Sequence, residues 1–199
     1  MRRRRLLRTG ALGAVVGAAG CVGSVTDAVA DDVRFTSALS TLHAVSDPWV
    51  RGGFGDGGIG NFRGELFTET PEERPFVGGR YGRRDATSHV LGADYEREFV
   101  LLHEVLIRRS DPFRVDPTAR DRDPTWADRR ELVLPLSKDP VDPEHLAFDL
   151  RDEEELVCTT VVTYAVGEGD EPMRVTPESA LVHLYGYGTH PNGRSIVVE

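Results

Sequence analysis

The stretch ELVCTTVVTYAV, residues 155–166, constrains the fold more than any other part of the chain. After Glu155 it carries no charge, no glycine and no proline. Read with a period of two, Leu156, Cys158, Thr160, Val162, Tyr164 and Val166 share one face. Val157, Thr159, Val161, Thr163 and Ala165 share the other. Both faces are apolar or threonine, so the segment predicts a strand covered on both sides, at the centre of a sheet.

Other strand patterns surround it. DVRFTSAL (32–39), RELVLPL (130–136) and LAFDL (146–150) are short candidates. ALVHLYGY (180–187) alternates, placing Leu181, His183, Tyr185 and Tyr187 on one face. THPNGR then carries an Asn192-Gly193 turn before SIVVE, which predicts a closing hairpin. DYEREFVLLHEVLIRR (94–109) fits two periods. As a helix it stripes Tyr95, Phe99, Leu102 and Leu106. As a strand it aligns Phe99, Leu101, His103, Val105 and Ile107. The strand reading is favoured, because β-branched strands surround it and Ser110-Asp111-Pro112 stops it abruptly.

Six Asp-Pro pairs begin at Asp47, Asp111, Asp116, Asp123, Asp139 and Asp142. Each disfavours helix at the Asp and removes a backbone donor at the Pro. Five of them predict connections around short strands between 111 and 143. Residues 46–88, rich in Gly, Arg and acids, predict one long irregular excursion with a short strand near Phe76-Val77. Strands spaced by turns, without βαβ alternation, predict an all-β fold, an immunoglobulin-like β-sandwich with long irregular loops. The Cys…Trp…Cys pattern of antibody domains is absent, so the likeness is architectural.

The N-terminus reads MRRRRLLRTGALGAVVGAAGCVG. A basic head is followed by the uncharged stretch 9–20, about 18 Å as helix, against the roughly 30 Å of a hydrocarbon core. That order describes an export signal and not a membrane span. Arg3-Arg4-Arg5-Leu6-Leu7 resembles a twin-arginine signal. Ala18-Ala19-Gly20-Cys21 resembles a lipobox, at which lipid joins the cysteine and cleavage falls just before it. The resemblance covers about the first 21 residues. It implies export directed by Arg3 and Arg4, a lipid on Cys21, a tether over 21–31, and one domain over 32–199. The implied location is extracellular, attached to the membrane surface, and two acyl chains anchor stably where one does not.

Removing residues 1–20 takes away five arginines and no acid, so 24 basic residues become 19 against 33 acidic ones, a net charge of −14. Lys138 is the only lysine. An acidic, arginine-using surface is similar to proteins of halophilic archaea, where salt screens self-repulsion. Such a surface argues against a nucleic-acid partner. With Cys21 lipidated, Cys158 has no disulfide partner and reads as a buried, inert thiol.

RGGFGDGGIGNFRG (51–64) holds two overlapping G-x-G-x-x-G patterns, but no helix-forming sequence opens on them before Pro71. No Gly-Lys-Ser/Thr follows either, so no nucleotide or other cofactor is expected. The glycines read as backbone needing freedom or positive φ. His183 and His190 are the only local histidine pair, and no spacing specifies a metal site. The acidic run Asp152–Glu155 reads as a solvated face. No nucleophile motif is present. Trp49, Phe54, Phe62, Phe67, Phe76 and Tyr81 interleave with Arg51, Arg63, Arg74, Arg80, Arg83 and Arg84. That interleaving fits either a patch for a protein (an envelope protein), a glycan or an anionic group, or a loop that folds its aromatics onto the sandwich.

The expectation is a lipid-anchored, non-catalytic surface protein with a binding or envelope-structural role. The alternative is an exported enzyme or metal-binding protein whose site gathers dispersed residues such as His103, His183, His190 and nearby carboxylates. Cys21→Ser is expected to release the protein into the medium or leave it uncleaved, read by fractionation and mass. A processed, membrane-bound Cys21→Ser protein overturns the lipobox reading.

Overall fold

The computed structural model describes residues 32–54, 62–78, 83–118, 123–167, 171–186 and 194–198. Arg3, Arg4, Cys21 and the tether lie outside the described residues, as do Tyr81, Arg80, Tyr187, His190, the Asn192-Gly193 turn and the glycines from Gly55 to Gly60. Among the described residues no helix is long and apolar enough to cross a membrane.

Two sheets form an all-β sandwich. Sheet I contains β1 (Val33–Ala44), β2 (Phe62–Phe67), β3 (Glu98–Arg108) and β7 (Glu155–Val166), in the order β1-β7-β3-β2, all antiparallel. Sheet II contains β4 (Phe113–Asp116), β6 (Glu131–Pro140), β8 (Ser179–Tyr185) and β9 (Arg194–Val198), with the two-residue β5 (Thr125–Trp126) also on β6. β6 and β8 run parallel, which departs from the two antiparallel sheets of an immunoglobulin sandwich. β8 and β9 form the expected antiparallel closing pair.

The central strand is where its sequence demands. β7 pairs with β1 from Val33↔Val166 to Ala44↔Leu156, and with β3 along the whole length of β3. Its inward face, with Leu156, Cys158, Val162, Tyr164 and Val166, meets Leu132, Leu134, Leu136, Val182 and Leu184 of sheet II. The expected strand over 94–109 is present as β3, and Phe99, Leu101, Val105 and Ile107 join that same core.

Sheet I carries a second layer on its other face. Described parts of the segment between β1 and β3 fold back over it, burying Trp49, Val50, Phe76, Ala86 and Val90 against Phe67, Val100, Leu102 and Val161 of the sheet. This segment is more regular than its composition predicts. It contains β2, an isolated Val50↔Phe76 bridge, and helix α1 (Arg83–Leu91). α1 turns Ala86 and Val90 inward and Arg84 and Asp85 outward, too narrow an apolar stripe to show in the sequence.

Two further differences have physical causes. LAFDL is not a strand: it follows the 3-10 turn Pro143–His145 and contains a second one, Phe148–Leu150. Asp142 caps the first by accepting from the Glu144 amide at 2.9 Å. Leu146 and Leu150 then pack into the core while Phe148 is left 84% exposed. β6 runs on through Asp139-Pro140 and tolerates Pro135 at its centre. β4 pairs with residues 137–140 and β5 with 132–133, so Pro135 sits where that edge has no neighbour to miss its amide.

The two apolar layers are separable in strength. Phe99→Ala is expected to cost about 3–5 kcal/mol of global stability. Phe76→Ala is expected to loosen residues 49–53 and 75–77 first, seen as faster amide exchange there while β3 and β7 stay protected. Equal loss of protection in both regions contradicts the two-layer description.

Candidate functional site

The polar residues concentrate under the second layer. On the outward face of sheet I, Thr41 pairs with Thr159, Thr159 with Glu104, and Glu104 with Arg63, one row across four strands. His43 lies two residues beyond Thr41, diagonal to Thr159, within reach of its hydroxyl. Thr159 Oγ1 is 2.8 Å from His43 Nε2 and 2.8 Å from Glu104 Oε1. His43 Nδ1 donates to the Ala44 carbonyl at 3.0 Å. His43, Glu104 and Thr159 are only 5%, 2% and 1% exposed.

The excursion seals this chain of groups. The Trp49 indole stacks on the His43 imidazole, with centroids 5.4 Å apart and planes 11° apart. The Arg83 guanidinium sits over the same indole at 5.7 Å and meets Asp47 Oδ1 at 2.6 Å. It also donates to the carbonyls of Asp47 and Val77, tying α1 to both ends of the covering loop. On the other side Arg63 donates to the Gly53 carbonyl at 2.7 Å and the Arg51 carbonyl at 3.2 Å, with Glu104 Oε2 4.0 Å away.

The hydrogen bonds fix a proton count. Thr159 has one hydroxyl proton and His43 Nδ1 has committed its own. Two acceptor-capable atoms, Nε2 and Oε1, face that one hydroxyl, so both contacts are satisfied only if the pair holds one more proton. On Glu104, that proton is donated to Thr159, which donates to Nε2. On His43, the direction reverses. Desolvation pushes the Glu104 carboxyl up, against the Thr159 hydrogen bond and Arg63. Desolvation likewise pulls His43 down, further lowered by Arg83 and opposed by the Ala44 carbonyl and Asp47. Both directions move the shared proton from His43 towards Glu104, relative to the order of the two groups in water.

The inward face holds a contrasting row, Ser40–Thr160–His103–Gly64. Ser40 Oγ accepts from the Val115 amide at 3.1 Å and lies 3.1 Å from Thr160 Oγ1 and 3.5 Å from Cys158 Sγ. Cys158 is fully buried and its thiol is pushed up by desolvation, as expected of an inert cysteine. His103 is fully buried, and neither ring nitrogen has a hydrogen-bond partner among the described residues. Its pKa falls to about 4 through desolvation.

The residues singled out in the sequence divide accordingly. Trp49, Phe67 and Phe76 lie beneath the excursion, the loop-onto-sandwich arrangement, while Arg51, Arg74 and Arg84 are exposed. Gly52 and Gly53 adopt φ of 88° and 65°, the left-handed backbone foreseen for the glycine stretch, and β2, not a helix, follows it. His103 faces the core from sheet I, whereas His183 lies on the outward face of β8, where Ala180, Val182 and Leu184 point inward. The body of sheet II therefore separates these two histidines. Among the described residues no three His, Cys, Asp or Glu side chains come together as a metal site. His43, Thr159, Glu104 and Arg63 were not foreseen as a unit. The available signal was a glutamate in the outward register of β3, between Leu102 and Leu106. No family model, no curated protein and no solved structure matches the chain.

His103→Leu is expected to stabilise the protein by about 1–2 kcal/mol at pH 7, because two unpartnered buried nitrogens are removed. The parent loses stability as pH falls from 6.5 towards 4, where the unfolded imidazole gains a proton that the folded one refuses. His103→Leu is expected to lose that part of the acid slope in urea titrations. An unchanged slope counts against the buried neutral imidazole.

Proposed function

We propose that the chain is a lipid-anchored, non-catalytic protein of the outer membrane surface, with a binding or structural role in the cell envelope. The observation that carries this reading is the sealing of its acid-base groups. His43, Thr159 and Glu104 are the side chains best arranged for proton transfer, yet Trp49 and the excursion cover them. A substrate has no approach to them without displacing that layer. The other nucleophile candidate, Cys158, is inside the core with its thiol pushed up.

The outer surface of the excursion supports a polar partner, an envelope protein or a glycan. Arg51, Glu72, Glu73, Arg74, Arg84 and Asp85 are exposed there, while Trp49 and Phe76 are buried. Anchoring through Cys21 supplies the membrane contact in this reading, and the acidic surface fits a saline exterior.

Fractionated cells are expected to hold the protein in membranes, released by detergent and not by a salt wash. Protease added to intact cells is expected to remove it. The detergent-purified full chain is expected to show substoichiometric metal and no hydrolytic turnover on ester, peptide and glycoside probes. Stoichiometric metal, turnover, or protection from external protease overturns the proposal.

A further inference from the structure

We propose that His43, Thr159 and Glu104 form a one-proton latch, which holds residues 45–54, residues 68–78 and α1 against sheet I only while the three groups share a single proton. Each part of the latch has a visible task. The two 2.8 Å contacts at Thr159 and the Nδ1 bond to Ala44 orient the imidazole. That ring is the platform on which Trp49 stacks, and Arg83 over Trp49 carries the contact on to Asp47, Val77 and α1. If the shared proton leaves, Glu104 and Nε2 compete for one hydroxyl, and one of two buried acceptors is orphaned. If a second proton arrives, Thr159 can still accept from both sides, but a buried imidazolium then faces Arg83, offset by the Ala44 carbonyl and Asp47.

The charged groups around the latch are few. β1 contributes His43 and the loop after it Asp47. β2 presents Arg63 outward, with Glu65 one outward position along. β3 presents Glu104 and α1 presents Arg83. A guanidinium is not deprotonated in proteins. Proton exchange at the latch therefore falls to His43 and Glu104 together, and the pair titrates as one unit.

The proton count sets the pH profile, wherever the proton sits. With ordinary values of 6.5 for imidazole and 4.5 for the carboxyl, the unfolded pair holds one proton between these limits, as the folded pair does. The latch then adds no slope. Above 6.5 the unfolded pair holds none while the folded pair keeps one, so stability falls as pH rises until the folded pair also releases its proton. Below 4.5 the unfolded pair holds two, so stability falls as pH drops.

Glu104→Gln tests this directly, because the amide donates permanently to Thr159 and mimics the protonated acid. Urea unfolding of the full chain at constant salt, read by Trp49 fluorescence in a Trp126→Phe background, gives the profile. Above pH 6.5 the parent unfolding constant is expected to rise tenfold per pH unit, and that of Glu104→Gln to stay flat. Between 6.5 and 4.5 the Glu104→Gln constant is expected to rise one further tenfold per unit than the parent's. His103 adds the same acid slope to both and cancels. Parallel profiles overturn the latch. If Glu104→Gln does not fold, carboxyl carbon and imidazole nitrogen shifts of the parent at pH 6 decide. An ionised Glu104 beside a neutral His43 overturns it, and either one-proton state upholds it. In Thr159→Val at fixed pH, the Arg51 and Val77 amides, which bond to Pro75 and Trp49, are expected to exchange faster while Leu101 does not. Equal acceleration at all three shows that the cluster supports the sandwich as a whole and overturns the latch.

Discussion

The double pairing of β7 is the constraint on which the rest depends. A strand hydrogen-bonded on both edges and covered on both faces has no solvent side to which a polar group can turn. Every residue in it must be apolar or find a partner inside the protein. Its threonines meet that condition in two directions. Thr160 turns inward to Ser40, which accepts the Val115 amide and so joins sheet I to β4 of sheet II. Thr159 turns outward to His43 and Glu104. One strand thus supplies a hydroxyl to each apolar layer, a methyl-bearing side chain serving as core filler and polar hinge together.

The two polar rows of sheet I differ in how completely they are satisfied, and the difference is informative. The outward row is joined from β1 to β3 through Thr159, with Arg63 close by on β2. In the inward row, Ser40 and Thr160 are partnered, yet His103 beside them has no hydrogen bond among the described residues. A buried imidazole without partners costs stability that leucine at the same place would not. In the outward cluster the low dielectric strengthens the bonds at Thr159 and His43, while Glu104 Oε2 is buried with no hydrogen-bond partner among the described residues and Arg63 4.0 Å away.

Much of the fold was legible in the sequence because period two survives burial. The faces of β7 and β3 follow from alternation alone, and Cys158 and His103 fall on the side that the pattern assigns. The failures cluster where alternation misleads or is absent. LAFDL alternates Leu146, Phe148 and Leu150, but Asp142-Pro143 starts a tight turn and Phe148 ends in solvent. β2 and α1 are hidden because each buries only a few residues of a segment otherwise charged or glycine-rich. The His43–Thr159–Glu104 cluster joins residues 61 and 55 positions apart. It becomes visible only once the β1-β7-β3 order and register are known, and no local spacing encodes either.

The near-absence of lysine has a structural side as well as a surface one. Arg63 and Arg83 work beneath the excursion by donating to several backbone carbonyls at once, those of Arg51, Gly53, Asp47 and Val77. A guanidinium offers five donors in a planar fork and does not lose its charge on burial, whereas an ammonium offers three on a flexible stem and readily does. The single lysine, Lys138, is used differently, as one point charge on Asp111 beside the Phe113 ring. Arginine ties also explain the placement of the glycines. Gly52 and Gly53 take left-handed backbone, and Arg63 holds the carbonyls of Arg51 and Gly53, on either side of the turn. The turn therefore presents carbonyl oxygens to a cation of its own chain, the opposite polarity from a loop that cradles phosphate with its amides.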